Sequence, residues 1–237
     1  EALMVRMARH DVRRENEPGK GVREVGSYLA GLLPEQPFHD VAAYPWCVVL
    51  SSYTATILED MKAHATGKLW HGPALDNCGQ MFAPEWRVLG LLSQGDWYEQ
   101  ADRFPRTKAA LASLRGVHWH EIFFARMPPH TSIRGHSDNM NYILTVHLAL
   151  ELQEGQCSFT CGAETREWCT GQVLGPFDTT YIHSAENRSA RDRYVLVCRF
   201  YHPDLSAEER FALLARISLD EGVRLVGKQM LQERAGR

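Results

Sequence analysis

The chain has 237 residues, of which 44% are hydrophobic and 23% are charged, as expected for a soluble globular protein with a substantial core. The formal net charge of −3 gives no electrostatic case for a nucleic-acid partner or an anionic membrane surface. Six cysteines are too thinly spread to form a disulfide scaffold, and no apolar run is long enough to span a membrane.

The first part of the chain, residues 1–85, is predicted to be mostly helical. Residues 2–16 carry a few apolar side chains among many arginines and indicate a helix or a loose arm, which Glu-Pro-Gly-Lys-Gly at 17–21 ends. The stretch 25–33 is helix-like and stops at a proline. Helical spacing of apolar side chains predicts an amphipathic helix over 54–65.

Short strands separated by Gly, Pro, Asn and Asp dominate residues 86–205. A strand is predicted at 86–92 and a helix at 107–114. Seven further strands are predicted at 118–127, 142–150, 156–161, 165–170, 172–175, 180–183 and 193–201. Short strands with regular turn signals are typical of a sandwich or a jelly roll, the architecture of cupins.

A final helix is predicted in the tail, residues 206–237. Ser206 and Glu209 have the spacing of a capping box at its start. We therefore predict one domain over 1–237, mainly β with flanking helices (an α+β fold), built around a double-stranded β-helix or jelly roll of cupin type.

The chemistry is concentrated in His136-Ser137-Asp138 and in His183, further along the chain. A spacing of two residues puts His136 and Asp138 on the same face of a strand. Two imidazoles and one carboxylate on one side of a metal ion, with the other positions open, form the facial triad of non-haem Fe(II) oxygenases. The competing interpretation is a histidine and an aspartate in a polar surface loop.

Arg193 begins the last predicted strand, 193–201. An arginine near a metal ion can hold a carboxylate co-substrate in a two-pronged salt bridge. Together with the triad, Arg193 predicts a centre that uses Fe(II), a keto acid and O2.

An ordered series of short motifs runs from about Trp86 to Arg210. Its members are Gly95-Asp-Trp97, Phe104-Pro105, Met127-Pro-Pro-His-Thr131, His136, Asn141, Val146-His-Leu148, Gly155-Gln-Cys157, Cys161, Glu164-Thr-Arg-Glu-Trp168, Gly171, Phe177-Asp178, His183, Arg193 and Tyr201-His-Pro-Asp-Leu205. Over this stretch the sequence resembles the aspartyl/asparaginyl β-hydroxylase family of Fe(II)/2-oxoglutarate-dependent oxygenases.

The resemblance implies roles for individual residues. The two histidine ligands of the family's iron fall on His136 and His183, and the arginine that binds the 2-oxoglutarate carboxylate falls on Arg193. A family histidine that contacts the co-substrate falls on His147. We therefore expect His147 to face the site rather than to be an ordinary core residue.

Asp138 departs from the pattern of the animal enzymes, which resemble this chain but have glycine at that position and no carboxylate ligand. Asp138 is expected to complete the set of two histidines and one carboxylate. A complete set favours hydroxylation over halogenation, because the carboxylate occupies the position that a halide would need.

A second departure affects the contacts to the co-substrate. A family arginine is replaced by Thr145 and a family serine by Ala125. We expect Thr145 and Asn141 to line the co-substrate pocket. Either fewer direct bonds hold the keto acid, or Arg126 or Asn141 substitutes for the lost contacts, or the substrate differs.

The function predicted from these features is an Fe(II)- and 2-oxoglutarate-dependent dioxygenase that oxidises a C–H bond of a small molecule or a peptide, releasing succinate and CO2. One alternative is hydroxylation of Asp or Asn side chains in a protein substrate, and another is a metal-binding cupin-like module without catalysis. Desaturation or cyclisation stays open. We expect a soluble, cytoplasmic protein without a membrane-spanning segment, although a chain that begins with Glu1 leaves an upstream leader or anchor open.

Overall fold

The structure, a computed structural model, describes residues 13–72 and 86–215. Within these ranges the chain forms β-strands, three α-helices and a further helical stretch at 207–215. The strands are β1 (Arg13–Glu17), β2 (Gly21–Val25), β3 (Arg87–Ser93), β4 (Asp96–Trp97), β5 (Trp119–Met127), β6 (Thr131–His136), β7 (Ile143–Glu151), β8 (Cys157–Cys161), β9 (Glu164–Glu167), β10 (Val173–Asp178), β11 (His183–Asn187) and β12 (Arg193–Tyr201). The helices are α1 (Trp46–Ser52), α2 (Thr54–His64) and α3 (Pro105–Ser113).

The strands β5 to β12 form two facing antiparallel sheets. The order β10-β7-β12-β5 continues into β3 and β4 as a six-stranded sheet, and β6-β11-β8-β9 forms a four-stranded sheet. Apart from the β8–β9 hairpin, consecutive strands pass from one sheet to the other. This winding is a double-stranded β-helix, or jelly roll, and it confirms the predicted fold class.

Alternation of side chains along β7 separates two hydrophobic cores. Leu144, Val146 and Leu148 face the core that lies beneath the helices, whereas Ala149 faces the space between the two sheets. Because side chains two residues apart point the same way, the inner face of β7 also carries residues 145 and 147. Polar side chains on this inner face therefore project into the interior of the jelly roll.

The three helices cover the outer face of the six-stranded sheet. Leu50 of α1, Ile57 of α2 and Leu111 of α3 are fully buried there, and each burial contributes about 1.5–3 kcal/mol. The buried carboxylate of Asp60 accepts hydrogen bonds from the backbone N and Oγ1 of Thr107, at 2.8 and 2.9 Å, and so joins α2 to α3. The helices support the sheet from outside and leave its inner face for the site.

Two of the predicted helices agree with the structure except at their ends. The helix over 54–65 is confirmed as α2. The helix predicted at 107–114 begins two residues earlier, at Pro105, because a proline fits the first turn of a helix, where its missing N–H is not needed.

A β-hairpin replaces part of the predicted N-terminal helix or arm. Residues 13–16 lie in β1, which pairs with β2 across a turn in which Gly19 and Gly21 have φ of 75° and 95°. Glycine takes these left-handed angles without steric cost, so the turn favours a hairpin. The prediction of a helix or a loose arm is wrong for residues 13–16, and residues 1–12 lie outside the described part.

The helix predicted over 25–33 is also wrong. This segment contains no helix. Oδ1 of Asn141 accepts from the backbone N of Leu29, and Nδ2 of Asn141 donates to the carbonyl of Leu29, each at 2.9 Å. Leu29 and Leu32 are buried against Tyr142 and Tyr201. The apolar residues at helical spacing are therefore buried by tertiary contacts and not along one face of a helix.

The strands around the histidines differ from the prediction. Strand β6 was not predicted, and the strand expected at 180–183 instead begins at His183 and runs to Asn187. Strand β10 continues to Asp178, past the proline that ended its prediction, with an irregular register between Leu174 and Phe177. Strand β9 ends at Glu167, so the prediction to 170 was too long.

The predicted capping box at the final helix is confirmed. The backbone N of Ser206 donates to Oε2 of Glu209 at 2.9 Å, and the backbone N of Glu209 donates to Oγ of Ser206 at 3.1 Å. Residues 216–237 of the predicted helical tail lie outside the described part.

Candidate metal centre

The two histidines of the predicted triad are neighbours across adjacent strands. His136 is the last residue of β6, His183 is the first residue of β11, and the two pair directly in the antiparallel register. Their ring centres are 4.3 Å apart, with the ring planes tilted by 51°. Strand pairing therefore brings the two imidazoles together, although they are far apart in the chain.

Each imidazole is oriented by a carbonyl group two residues earlier in the chain. Nδ1 of His136 lies 2.8 Å from the carbonyl oxygen of Arg134, and Nδ1 of His183 lies 3.0 Å from that of Tyr181. A carbonyl oxygen can only accept, so each Nδ1 carries a proton, and in a neutral ring Nε2 keeps its lone pair. Nε2 is therefore the nitrogen of each ring that can bind a metal ion.

Asp138 lies in the loop after β6 rather than on the strand, so the expectation that it shares a strand face with His136 was wrong. Its Oδ1 is nevertheless 3.9 Å from Nε2 of His136, and the ligand atoms of His136, Asp138 and His183 lie within 4.8 Å of one another. Three donor atoms at these separations can surround one metal ion.

The loop that carries Asp138 is anchored on both sides. The backbone N of Asp138 donates to the carbonyl of Thr179 at 2.9 Å. Asn139 adopts a left-handed φ of 63°, and its carbonyl accepts from the backbone N of Gly26 and Ser27 at 2.9 and 2.8 Å. The segment after β2 therefore fixes the chain at the point where it turns the carboxylate towards the histidines.

The ionisation states suit metal binding. Burial lowers the pKa of His183 to about 4, so this imidazole is neutral at pH 7. Burial opposes ionisation of Asp138, but its surroundings, chiefly the charge of Arg199, outweigh burial and hold the pKa of the carboxyl below its ordinary value. A neutral imidazole and a carboxylate are the forms that bind metal ions.

Arg193 is a buried and unsatisfied cation on the inner face of β12. It is 2% exposed, and its guanidinium carbon lies 4.4 Å from the ring centre of Trp168. Among the described residues, Nε and Nη1 have no hydrogen-bond partner. Burial lowers the pKa of Arg193 to about 10, which leaves it charged at pH 7. Such a group is costly to bury unless an anion satisfies it.

His147 and Thr145 share the inner face of β7. The His147 ring lies nearly parallel to Trp168, at 18° and 5.8 Å between centres. Burial, then the charges of Arg193 and His183, keep the pKa of His147 well below its ordinary value. Nδ1 of His147 and Oγ1 of Thr145 are buried and lack partners within the described ranges. Both side chains therefore add unpaired polar atoms to the interior.

Asn141 and Arg126 are engaged elsewhere. The amide of Asn141 is used by the backbone of Leu29, as described above, and no described contact links it to the triad. Nε of Arg126 donates to Oδ2 of Asp192 at 2.9 Å, and Ala125 is packed in the core between the sheets. The structure therefore does not bring these residues to the triad as substitutes for the missing contacts.

Arg199 is the polar residue of the site that the sequence reasoning missed. Its Nη2 lies 3.2 Å from Oδ2 of Asp138, and its Nη1 lies 3.1 Å from Oε2 of Glu121. The signal was present in the sequence, because Arg199 is an even number of residues after Arg193 on one predicted strand and so points to the same face.

A family model for aspartyl/asparaginyl β-hydroxylase matches residues 52–203. The chain belongs to this family. The aspartyl/asparaginyl β-hydroxylase of Mus musculus is 29% identical over 154 residues, which cover 60% of this chain and 21% of the mouse protein. The Homo sapiens protein of the same name is 27% identical over 154 residues, covering 60% and 20%. The chain therefore spans about a fifth of the length of these relatives.

Solved structures of similar shape include two prolyl hydroxylases. One, from Trichoplax adhaerens, was solved in complex with a peptide fragment of the hypoxia inducible factor; it gives a TM-score of 0.49 at 14% identity, covering 68% of this chain and 81% of that one. The prolyl-4-hydroxylase of Pseudomonas putida gives 0.39 at 17% identity, covering 65% and 87%.

The described helices include none that is both long and apolar enough to cross a membrane.

Proposed function

We propose that this protein is an Fe(II)- and 2-oxoglutarate-dependent dioxygenase that oxidises a C–H bond of a small molecule or a peptide and releases succinate and CO2. Membership of a hydroxylase family and the grouping of two histidines with one carboxylate support the proposal. The observation that carries it is Arg193, a buried cation whose unpaired N–H groups face the same interior as the triad.

The donor atoms fit a ferrous ion. His136, Asp138 and His183 would hold it through two Nε2 atoms and one carboxylate oxygen, the combination found in non-haem iron oxygenases. The carbonyls of Arg134 and Tyr181 fix both rings, so the ligands need little rearrangement. The remaining metal positions stay open to a keto acid and to O2.

The interior also fits a dicarboxylic acid. Arg193 can donate two parallel hydrogen bonds to a carboxylate, which satisfies two of its three guanidinium nitrogens. The low-dielectric surroundings strengthen this attraction. In addition, no carboxylate among the described residues competes for the guanidinium. His147 and Thr145, on the inner face of β7, offer an imidazole nitrogen and a hydroxyl that lack partners among the described residues.

The protein would bind, orient and protect the reactants, whereas bound iron would activate O2, the oxidant, with 2-oxoglutarate as an electron donor. Arg193 would bind one end of the keto acid. The face of the Trp168 ring stabilises the guanidinium through a cation–π contact. The apolar interior, including Phe159 and Val195, excludes water from the reacting groups.

The family name indicates which substrates to try first. Aspartyl and asparaginyl side chains in peptides are the starting panel, because the mouse and human relatives carry that activity in their names. Small amino acids and their derivatives form the second panel. The described structure favours neither panel.

The test is succinate formation from 2-oxoglutarate by purified protein, measured with and without Fe(II) and with each panel member. We expect release that requires iron and 2-oxoglutarate and that a true substrate raises. His183→Ala should abolish it, whereas His64→Ala, at an exposed position on α2, should not. If succinate never forms above the metal-free background, including in the absence of substrate, the protein is a metal-binding module rather than an oxygenase.

A further inference from the structure

Arg199 occupies the middle of the six-stranded sheet, close to the metal centre. It lies on β12 opposite Glu121 of β5 and opposite Thr145 of β7. Its side chain is 16% exposed, so most of it is enclosed. A cation in this position needs counter-charges, and the two that it contacts are the carboxylates of Glu121 and Asp138.

The contacts of Asp138 divide its two oxygens between different partners. Oδ2 lies 3.2 Å from Nη2 of Arg199, whereas Oδ1 lies 3.9 Å from Nε2 of His136. The contact through Oδ2 is an ion pair, and Nη2 of Arg199 makes no hydrogen bond within the described residues. Arg199 of the six-stranded sheet therefore contacts Oδ2, whereas Oδ1 is turned towards the imidazoles.

We propose that Arg199 is a positioning residue that holds Oδ2 of Asp138, so that Oδ1 alone is presented to the metal ion. This inference rests on the proposed metal centre. Glu121 holds the opposite end of the guanidinium at 3.1 Å, which gives a chain of three charged side chains from β5 to the loop after β6.

The consequence concerns how many metal positions remain free. A carboxylate with both oxygens available can bind a metal ion through both and take up two positions. With Oδ2 paired to Arg199, Asp138 takes up one position. Two imidazoles and one oxygen then leave three sites of an octahedral ion open, as a chelating keto acid and O2 together require.

The test is a double-mutant cycle on the affinity for cobalt(II), measured by calorimetry in the absence of co-substrate. Outer partners of metal ligands typically contribute 10–100-fold to metal affinity, so Arg199→Gln should weaken cobalt binding by about that factor. In the Asp138→Ala background the same change should have almost no effect, because the carboxylate that Arg199 holds is gone. Arg199→Lys should restore part of the affinity.

The matched control is Arg188→Gln, which removes an exposed arginine that pairs with Glu186 at 2.8 Å outside the centre. Its cobalt affinity should equal that of the wild type. The visible spectrum of the cobalt protein supplies a second measurement, because Arg199→Gln should raise the coordination number contributed by Asp138 and change the band intensities.

An equal loss on Arg199→Gln with and without Asp138 would mean a general structural effect and would overturn the positioning role. So would an unchanged affinity, or a wild-type protein that binds no cobalt. The outcomes separate this inference from the proposed reaction. Coupling without any succinate release refutes the reaction alone, and succinate release without coupling refutes the positioning role alone.

Discussion

Two buried arginines, Arg23 and Arg193, illustrate how similar burial can serve different purposes. Arg23 is 4% exposed and Arg193 is 2% exposed. Arg23 donates to Oγ1 of Thr180 at 2.8 Å and to Oδ2 of Asp178 at 3.1 Å, and two further acids lie within 4 Å. Burial alone would lower the pKa of Arg23, but the surrounding acids raise it above its ordinary value.

Arg193 has the opposite environment. The face of the Trp168 ring lies beside its guanidinium, Nε and Nη1 lack partners within the described part, and burial lowers its pKa to about 10. A fully satisfied cation such as Arg23 joins the N-terminal hairpin to the strand edge at 178–180. A buried cation without partners destabilises the ligand-free protein, and binding of an anion offsets this destabilisation. The difference supports the proposed role of Arg193 as a binding group.

The largest predicted effect tests this difference through stability. Arg23→Met leaves the carboxylate of Asp178 buried without its partner, and we expect a loss of about 3–5 kcal/mol in the free energy of unfolding. Arg193→Met removes an unpaired charge and keeps most of the volume, so the free energy of unfolding of the empty protein should stay within about 1 kcal/mol of wild type or rise. Urea denaturation of both variants measures this.

The proposed difference between the two arginines would be refuted if Arg193→Met were as destabilising as Arg23→Met. That result would show that Arg193 has a structural role in the absence of a ligand. The exposed pair of Arg106 and Glu59 provides a control, since Arg106→Met should change stability by less than about 1 kcal/mol.

A second prediction concerns pH and the histidine beside the Arg23 cluster. Burial, then the nearby His202, lowers the pKa of His39 to about 4. The unfolded chain takes up this proton near pH 6.5 and the folded chain only near pH 4, so stability is complete above pH 6.5 and falls as the pH drops towards 4. His39 alone accounts for at most about 3 kcal/mol of that fall.

The measurement is the free energy of unfolding of the metal-free protein at several pH values between 7 and 4. His39→Gln should flatten the curve, because Gln can replace the hydrogen bond to the hydroxyl of Tyr44 without titrating. A slope that the substitution leaves unchanged would assign the pH dependence to other buried imidazoles, such as His120.

A smaller effect is expected at the aromatic ring behind Arg193. Trp168→Phe keeps an aromatic face but weakens the cation–π contact, and we expect 2-oxoglutarate affinity to fall by a few-fold, about 0.5–1 kcal/mol. Cobalt(II) affinity should not change, because Trp168 contacts Arg193 and His147 rather than the triad. Equal losses of both affinities would indicate a general disturbance of the interior.

The sequence predicted the jelly roll and several of the site residues for identifiable reasons. Runs of β-branched and apolar residues are strong enough to predict β7 and β12 as strands, whereas the orientation of His147 was expected from the resemblance. The grouping of His136 with His183 was predicted from their residue types and from the resemblance, and no strand pattern gave the register, which depends on β6, a short strand with much of its surface exposed.

The failures lie where tertiary contacts decide the local structure. The segment 25–33 has helical apolar spacing, but Asn141 and the loop at 139–140 hold it in an irregular path. Asn141 was expected at the co-substrate because its position in the chain fits the motif series, and no sequence pattern reveals its bonds to Leu29. Arg199 was visible in the pattern, but its partner Asp138 lies in a loop whose direction depends on the left-handed Asn139.

The proposed role of Arg193 is tested most directly by comparing two keto acids that differ only in the group that Arg193 should bind. Cobalt(II)-loaded protein would be titrated with 2-oxoglutarate and with 2-oxopentanoate, which lacks the far carboxylate. The wild type should prefer 2-oxoglutarate by about 30-fold or more, and Arg193→Met should bind the two about equally. A wild type without this preference, or an Arg193→Met variant that keeps it, would contradict the assignment of Arg193 as the carboxylate-binding residue.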